Sequence, residues 1–129
     1  MCDLICHPGG GRVLHIEAKS CTGDRFDLRQ LEKQSDRLLA LEWQGYEVWI
    51  VLLWRTKVPP FVNQVWAILP SAFAEVDGAS VRREWCAEHG LAVPPMMPCK
   101  GCPGGRGWDL TALIGLDADR LRDEELEEA

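Results

Sequence analysis

The chain of 129 residues has no apolar run approaching the roughly 20 residues of a membrane-spanning helix, since its longest, Val48 to Trp54, is strand length. It has no basic-plus-apolar leader at its start, and the expectation is therefore a cytoplasmic protein. With no export signal, the six cysteines are expected to be reduced thiols or metal ligands, not a disulfide framework. There is no internal repeat, and the length suits one domain with a proper core but not two. Nor is there an excess of positive charge: the formal net charge is −6. Residues 117–129 carry seven acidic residues against two arginines, so most of that charge sits in an acidic tail. The remainder, residues 1–116, reads as a single near-neutral domain. Polyanion affinity depends on local phosphate contacts more than on net charge, so the acidic pI neither supports nor excludes a nucleic-acid partner.

What is present begins at the N-terminus. Leu4-Ile5-Cys6 precedes the glycine-rich Pro8-Gly9-Gly10-Gly11, and Val13 to Lys19 comes after it, the pattern of a β-hairpin. Side chains alternate across a strand, so Val13, His15, Glu17 and Lys19 share one face, and Leu14, Ile16 and Ala18 the other. A five-residue loop from Pro8 to Arg12 would set Asp3 opposite Glu17, whereas a slip of one residue would turn Asp3 to the wrong face. Two carboxylates held together repel unless a hard cation lies between them, and Mg²⁺ or Mn²⁺ with oxygen ligands suits that charge. Lys19 adds an ammonium beside it. Such a set suits phosphodiester hydrolysis, in which a metal polarises the phosphate and lowers the pKa of a bound water while an ammonium stabilises developing charge. His15 falls on the same face, with either proton transfer or phosphate contact as its role, or simple packing.

Further along, Asp27 reads as the N-cap of a helix running to Gln44 and stopped by Gly45, with Leu28, Leu31, Leu38 and Leu39 on its apolar face. Gln34 lies at the edge of that face. Arg29, Lys33 and Arg37 lie opposite it, either as a solvated stripe beside Glu32 and Asp36 or as contacts to DNA phosphates. Tyr46 to Trp54 reads as a central strand covered on both faces. Val65 to Leu69 reads as a strand ended by Pro70, and Ser80 to His89 as a helix stopped by Gly90. Leu91 to Trp108 reads as loop, and Asp109 to Leu116 as a short closing helix. The order β-β-α-β-β-α predicts an α/β (α+β) fold with a mixed central β-sheet flanked by helices.

The stretch from Asp3 to about Pro70 resembles the PD-(D/E)xK nuclease superfamily, and within it the RecU-type and phage Holliday-junction resolvases. The resemblance rests on the Asp3-Leu4-Ile5 strand, the strand ending Ile16-Glu17-Ala18-Lys19-Ser20, the Phe26-x-Leu28 segment, a helix carrying Gln34 and the hydrophobic strand after it. It implies a restriction-endonuclease-like core, Asp3, Glu17 and the Ala18 carbonyl as Mg²⁺ (or Mn²⁺) ligands, Lys19 as the catalytic lysine and Gln34 as an accessory residue. It also implies a homodimer acting on branched DNA in recombination and repair, in a bacterial or phage-infected cell. The family's core ordinarily starts with a helix and a strand ahead of the Asp strand. Here only Met1 and Cys2 precede Asp3, so the usual first helix is lacking unless a partner chain plays its part, and the expectation divides between a start upstream and a reduced version of doubtful activity.

A second constellation lies within the Cys/Pro/Gly-rich segment 86–108. Cys86-x₂-His89 and Cys99-x₂-Cys102 offer four ligands for a tetrahedral, structural Zn²⁺; the alternative is a buried helix thiol and a C-terminal histidine that need no metal. Cys2, Cys6, His7 and Cys21 match no zinc spacing, and the three cysteines read as buried thiols. Of the six tryptophans, Trp43, Trp49, Trp54 and Trp66 are expected in the core, with Trp85 and Trp108 flanking the cysteine region.

The expected function is a Mg²⁺-dependent endodeoxyribonuclease for branched DNA. The alternatives are a non-catalytic DNA-binding or interaction module that keeps the nuclease fold, and a zinc-stabilised adaptor whose acidic tail binds a basic partner or mimics DNA charge.

Overall fold

The computed structural model describes residues 4–9, 11–55, 63–94 and 113. Two compact units divide the chain, Met1–Ala92 and Val93–Ala129. In the second, Val93, Pro94 and Leu113 are the residues described, so Cys99, Cys102, Trp108 and the acidic tail lie outside the described residues, as does Asp3.

The protein is a mixed α+β structure with a five-stranded mixed sheet. Its strands are β1 (Leu4–Gly9), β2 (Arg12–Thr22), β4 (Glu47–Arg55), β5 (Asn63–Ile68) and β7 (Leu91–Val93), in the order β1-β2-β4-β5-β7. β1 is antiparallel to β2, β2 parallel to β4, and β4 antiparallel to β5. Two short strands, β3 (Arg25–Asp27) and β6 (Ser80–Arg82), pair antiparallel in a separate ribbon. The helices are α1 (Ser35–Trp43), α2 (Pro70–Ala74) and α3 (Arg83–His89).

The hairpin is tighter than a five-residue loop. β1 runs on through Pro8 and Gly9, Gly9 pairs with Arg12, and Gly11 turns the chain at φ 76°. Between Cys6 and Gly9 the register shifts, with one more residue on β1 than on β2. Pro8 has no N–H to give to the ladder, so a bulge here is the local solution. Beyond it Leu4 faces Ile16, Ile5 faces His15 and Cys6 faces Leu14.

The long helix expected over 27–44 is broken. Asp27 does cap a helical start, accepting from the Arg29 N–H at 2.9 Å, but the chain then makes a 3-10 turn over Leu28–Leu31, and α1 begins only at Ser35. The cause is tertiary. β3 is tied to β6, and the Leu28 N–H is held by the Ala79 carbonyl at 2.9 Å, so the chain enters the segment at an angle fixed from outside. The same pairing makes 80–82 a strand where helix was expected. The stop at Gly45 is as expected: at φ 93°, its N–H donates to Glu42 and the Tyr46 N–H to Leu41, a Schellman ending.

The helix-side core gathers Val48, Ile50, Leu52 and Trp54 of β4, Cys21 of β2, and Trp66 and Ile68 of β5 with Phe26, Leu31, Leu38, Phe73, Val81 and Cys86. On the opposite sheet face Leu14, Ile16, Trp49, Val65 and Ala67 are also buried, which explains the nearly unbroken apolar character of β4. Trp43 is the exception among the four tryptophans expected inside. It ends α1 and is 76 % exposed, because the turn that buries Leu38 and Glu42 points residue 43 away.

Candidate active site

The parallel pairing of β2 with β4 sets His15 beside Val48, Glu17 beside Ile50, Lys19 beside Leu52 and Cys21 beside Trp54. Paired residues share a sheet face, so His15, Glu17 and Lys19 all lie on the helix-side face, with Ile5 joining them from β1. Glu17 is thus an acid set among the core's own aliphatic side chains.

It is 1 % exposed, and neither carboxylate oxygen receives a hydrogen bond. The Lys19 ammonium stands 3.4 Å from Oε1, near enough for an ion pair but not aligned for a hydrogen bond. A buried carboxylate without donors costs several kcal/mol unless a cation offsets it. A hard cation against these oxygens fits that unmet demand. Ala18, between the two, turns an exposed side chain to the other face.

The remaining expected site residues are dispersed. Gln34 sits just before α1, half-buried; its carbonyl accepts from the Leu38 N–H, and its side chain makes no hydrogen bond to Glu17. Arg29 is on the 3-10 turn, its guanidinium forked onto Asp27 at 2.7 to 3.2 Å, which holds the Asp27 carboxyl below the ordinary range. Lys33 lies in the turn after it and Arg37 on α1, both exposed, so the break in the helix removes the single stripe expected of the three.

Cys86 is wholly buried in the core, where burial, aided by nearby Cys21, pushes its thiol up to about 12. His89 is exposed, stacked on Trp85 at 4.7 Å with Nδ1 3.0 Å from the Trp85 carbonyl. Their partners in the zinc expectation, Cys99 and Cys102, are outside the described residues. Among the described residues no group of three or more His, Cys, Asp or Glu side chains is arranged to hold a metal. Cys21 is buried as expected and donates to the Arg25 carbonyl at 3.0 Å.

Two features went unread in the sequence. Glu42 is 5 % exposed, and its Oε1 accepts from the Ser71 N–H at 3.1 Å, closing the start of α2. Its position four residues after buried Leu38 was the available signal. The second is a cavity of about 430 Å³ between the 3-10 turn, α1 and α2, walled by Leu28, Leu31, Phe73 and Ile50, the strand neighbour of Glu17. No family model matches the chain, and no curated protein matches it.

Proposed function

We propose that this protein is a metal-dependent endonuclease of the PD-(D/E)xK type acting on branched DNA. The observation that carries this reading is the buried Glu17 carboxylate, without a hydrogen-bond donor, with the Lys19 ammonium at 3.4 Å on the same strand face. The arrangement around it is consistent with a restriction-endonuclease-like core: an antiparallel hairpin whose second strand carries Glu17 and Lys19, a helical crossover, and a parallel neighbour succeeded by an antiparallel one. Branched DNA as substrate and a homodimer as the working form rest on the resemblance to the resolvases.

In this reading Glu17 holds a Mg²⁺ or Mn²⁺ ion, with Asp3 and the Ala18 carbonyl completing its protein ligands. When bound, such an ion supplies Lewis acidity and lowers the pKa of water. Lys19 keeps a positive charge next to the scissile phosphate, where negative charge grows as the P–O bond breaks. The apolar flank of Ile50 and Leu52 lowers the local dielectric and strengthens that interaction.

A second reading, a non-catalytic nucleic-acid-binding module, is favoured by one observation: at 1 % exposure the Glu17 carboxylate is closed to solvent. Cleavage separates the two. Labelled four-way junction, linear duplex and single-stranded DNA are incubated with Mg²⁺, Mn²⁺ or EDTA, with Lys19→Ala and Glu17→Gln beside the wild type. Metal-dependent cutting of the junction, lost in both variants, is the expected result. Binding without cutting under every metal would leave the module.

A further inference from the structure

We propose that Tyr46, braced by His15 and with exposed Trp43 three residues before it, is a stacking ledge for an unpaired nucleobase on the sheet face of the Glu17–Lys19 site. The inference rests on the nucleic-acid reading above and names a feature of the substrate that the site would take.

Three large apolar side chains stand exposed among the described residues: Trp43 at 76 %, Tyr46 at 48 % and Ile5 at 46 %. Two of them, Ile5 and Tyr46, come from distant parts of the chain and are linked by the fold. Ile5 pairs with His15 across the hairpin, and the His15 ring meets the Tyr46 ring edge to face, with centroids 5.6 Å apart at 83°. Trp43 closes α1 three residues before Tyr46, across the Gly45 turn. Solvent exposure of that much aromatic surface is unfavourable in the free protein, so a function is the expected reason for it.

The position says what the function is. His15 lies on the sheet face of Glu17 and Lys19, two residues before Glu17 and four before Lys19 on the same strand, about 7 and about 13 Å away along it. A strand whose phosphate lies at Lys19 therefore reaches the Tyr46 ring with a base further along it. The chemistry of the ledge agrees: phenol, imidazole and indole offer flat faces with polar edges, which suits a base better than lipid or an aliphatic protein surface. The edge-to-face contact with His15 holds the Tyr46 ring before anything binds, so little side-chain freedom remains to be lost. A base paired and stacked within a duplex presents no free face, and the ledge therefore selects unpaired positions such as those at a branch point or in a single strand.

The test is fluorescence anisotropy with a labelled single strand of about ten nucleotides, in EDTA so that no cleavage intervenes. Wild type is compared with Tyr46→Ala, Trp43→Ala and Tyr46→Phe, each checked for wild-type circular dichroism. The strand is used intact and with single abasic positions scanned along it. Expected are affinity losses of about tenfold for each alanine variant, retention in Tyr46→Phe, and an abasic position that weakens the wild type but has no further effect on Tyr46→Ala. Wild-type affinity in both alanine variants overturns the ledge, even if the junction is cut as proposed. Ledge-dependent binding by a chain that cuts nothing keeps the ledge and removes the hydrolase. Absence of binding to any nucleic acid removes both.

Discussion

Two buried glutamates meet the core in different ways. At the junction of α1 and α2, Glu42 is 5 % exposed, and its carboxylate receives the Ser71 N–H at the start of α2. In the middle of β2, Glu17 is 1 % exposed, and its oxygens receive nothing. Both are desolvated; Glu42 is met by a backbone N–H, whereas Glu17 is met only by the Lys19 ammonium at 3.4 Å, without a hydrogen bond.

The sharpest way to break this contrast is to neutralise each acid in turn. Glu17→Gln should lower metal-dependent cleavage by roughly 10³-fold, the scale of losing one charge-stabilising group, while the melting temperature does not fall. Metal should show the same selectivity. At about 100 times the dissociation constant, Mn²⁺ should stabilise the wild type by about 2.7 kcal/mol in a thermal-shift assay, and the Glu17→Gln variant not at all. A shift retained in Glu17→Gln would move the metal elsewhere. Glu42→Ala should behave in the opposite way: a loss of about 1–2 kcal/mol in urea unfolding, from the uncapped α2, with cleavage per folded molecule unchanged.

Much of this contrast was legible in the chain, and the exceptions have a common cause. Alternation along β2 placed Glu17 and Lys19 on one face, and Gly45 ended α1, because both are set by local geometry. The break between Leu31 and Ser35 was not legible: Leu28, Leu31 and Leu38 fit one continuous helix equally well, and it is the Ala79 carbonyl, some fifty residues away, that redirects the chain. Trp43 failed in the same manner, since an apolar residue at the end of an amphipathic helix reads as core until the tilt of that helix is known. Glu17's lack of donors is likewise a fact about neighbours in space. The sequence shows that an acid faces inward, but not whether an N–H is waiting for it.

A third carboxylate makes the contrast quantitative. Glu47, at the start of β4, is bound in a fork by Arg12, with Nε to Oε2 at 3.0 Å and the second contact at 2.6 Å. The pair is half-buried and bridges the beginnings of β2 and β4, so it should couple their pairing. A double-mutant cycle with Arg12→Ala and Glu47→Ala should give a coupling of about 0.5–1 kcal/mol, falling as salt is added. A coupling near zero would mean that a bidentate pair on paired strands is no better than an open surface pair.

The smallest effect belongs to Asp27, the most exposed acid of the series, with its side chain 40 % accessible. Its carboxyl is held below the ordinary value of 3.8, first by hydrogen bonds from the Arg29 side chain and backbone and then by the Arg29 charge. Because the folded pKa is the lower one, its contribution is present above the ordinary value and is lost as pH falls through the folded pKa. The unfolded chain then binds the proton more readily than the folded one, so stability must decline toward acid. Tracking the Asp27 carboxyl by NMR from pH 5 downward should show a midpoint below that of a free aspartate, moving upward in Arg29→Ala. The backbone donation from the Arg29 N–H survives that substitution, so the midpoint should return only part of the way. A full return would mean that the guanidinium alone sets the shift and that the capping bond to the 3-10 turn contributes nothing. Between Glu17 and Asp27 the consequence of a carboxylate is then set by its surroundings: in the core, without a hydrogen-bond donor, it stands against a single ammonium, and with donors at the surface it fastens a turn.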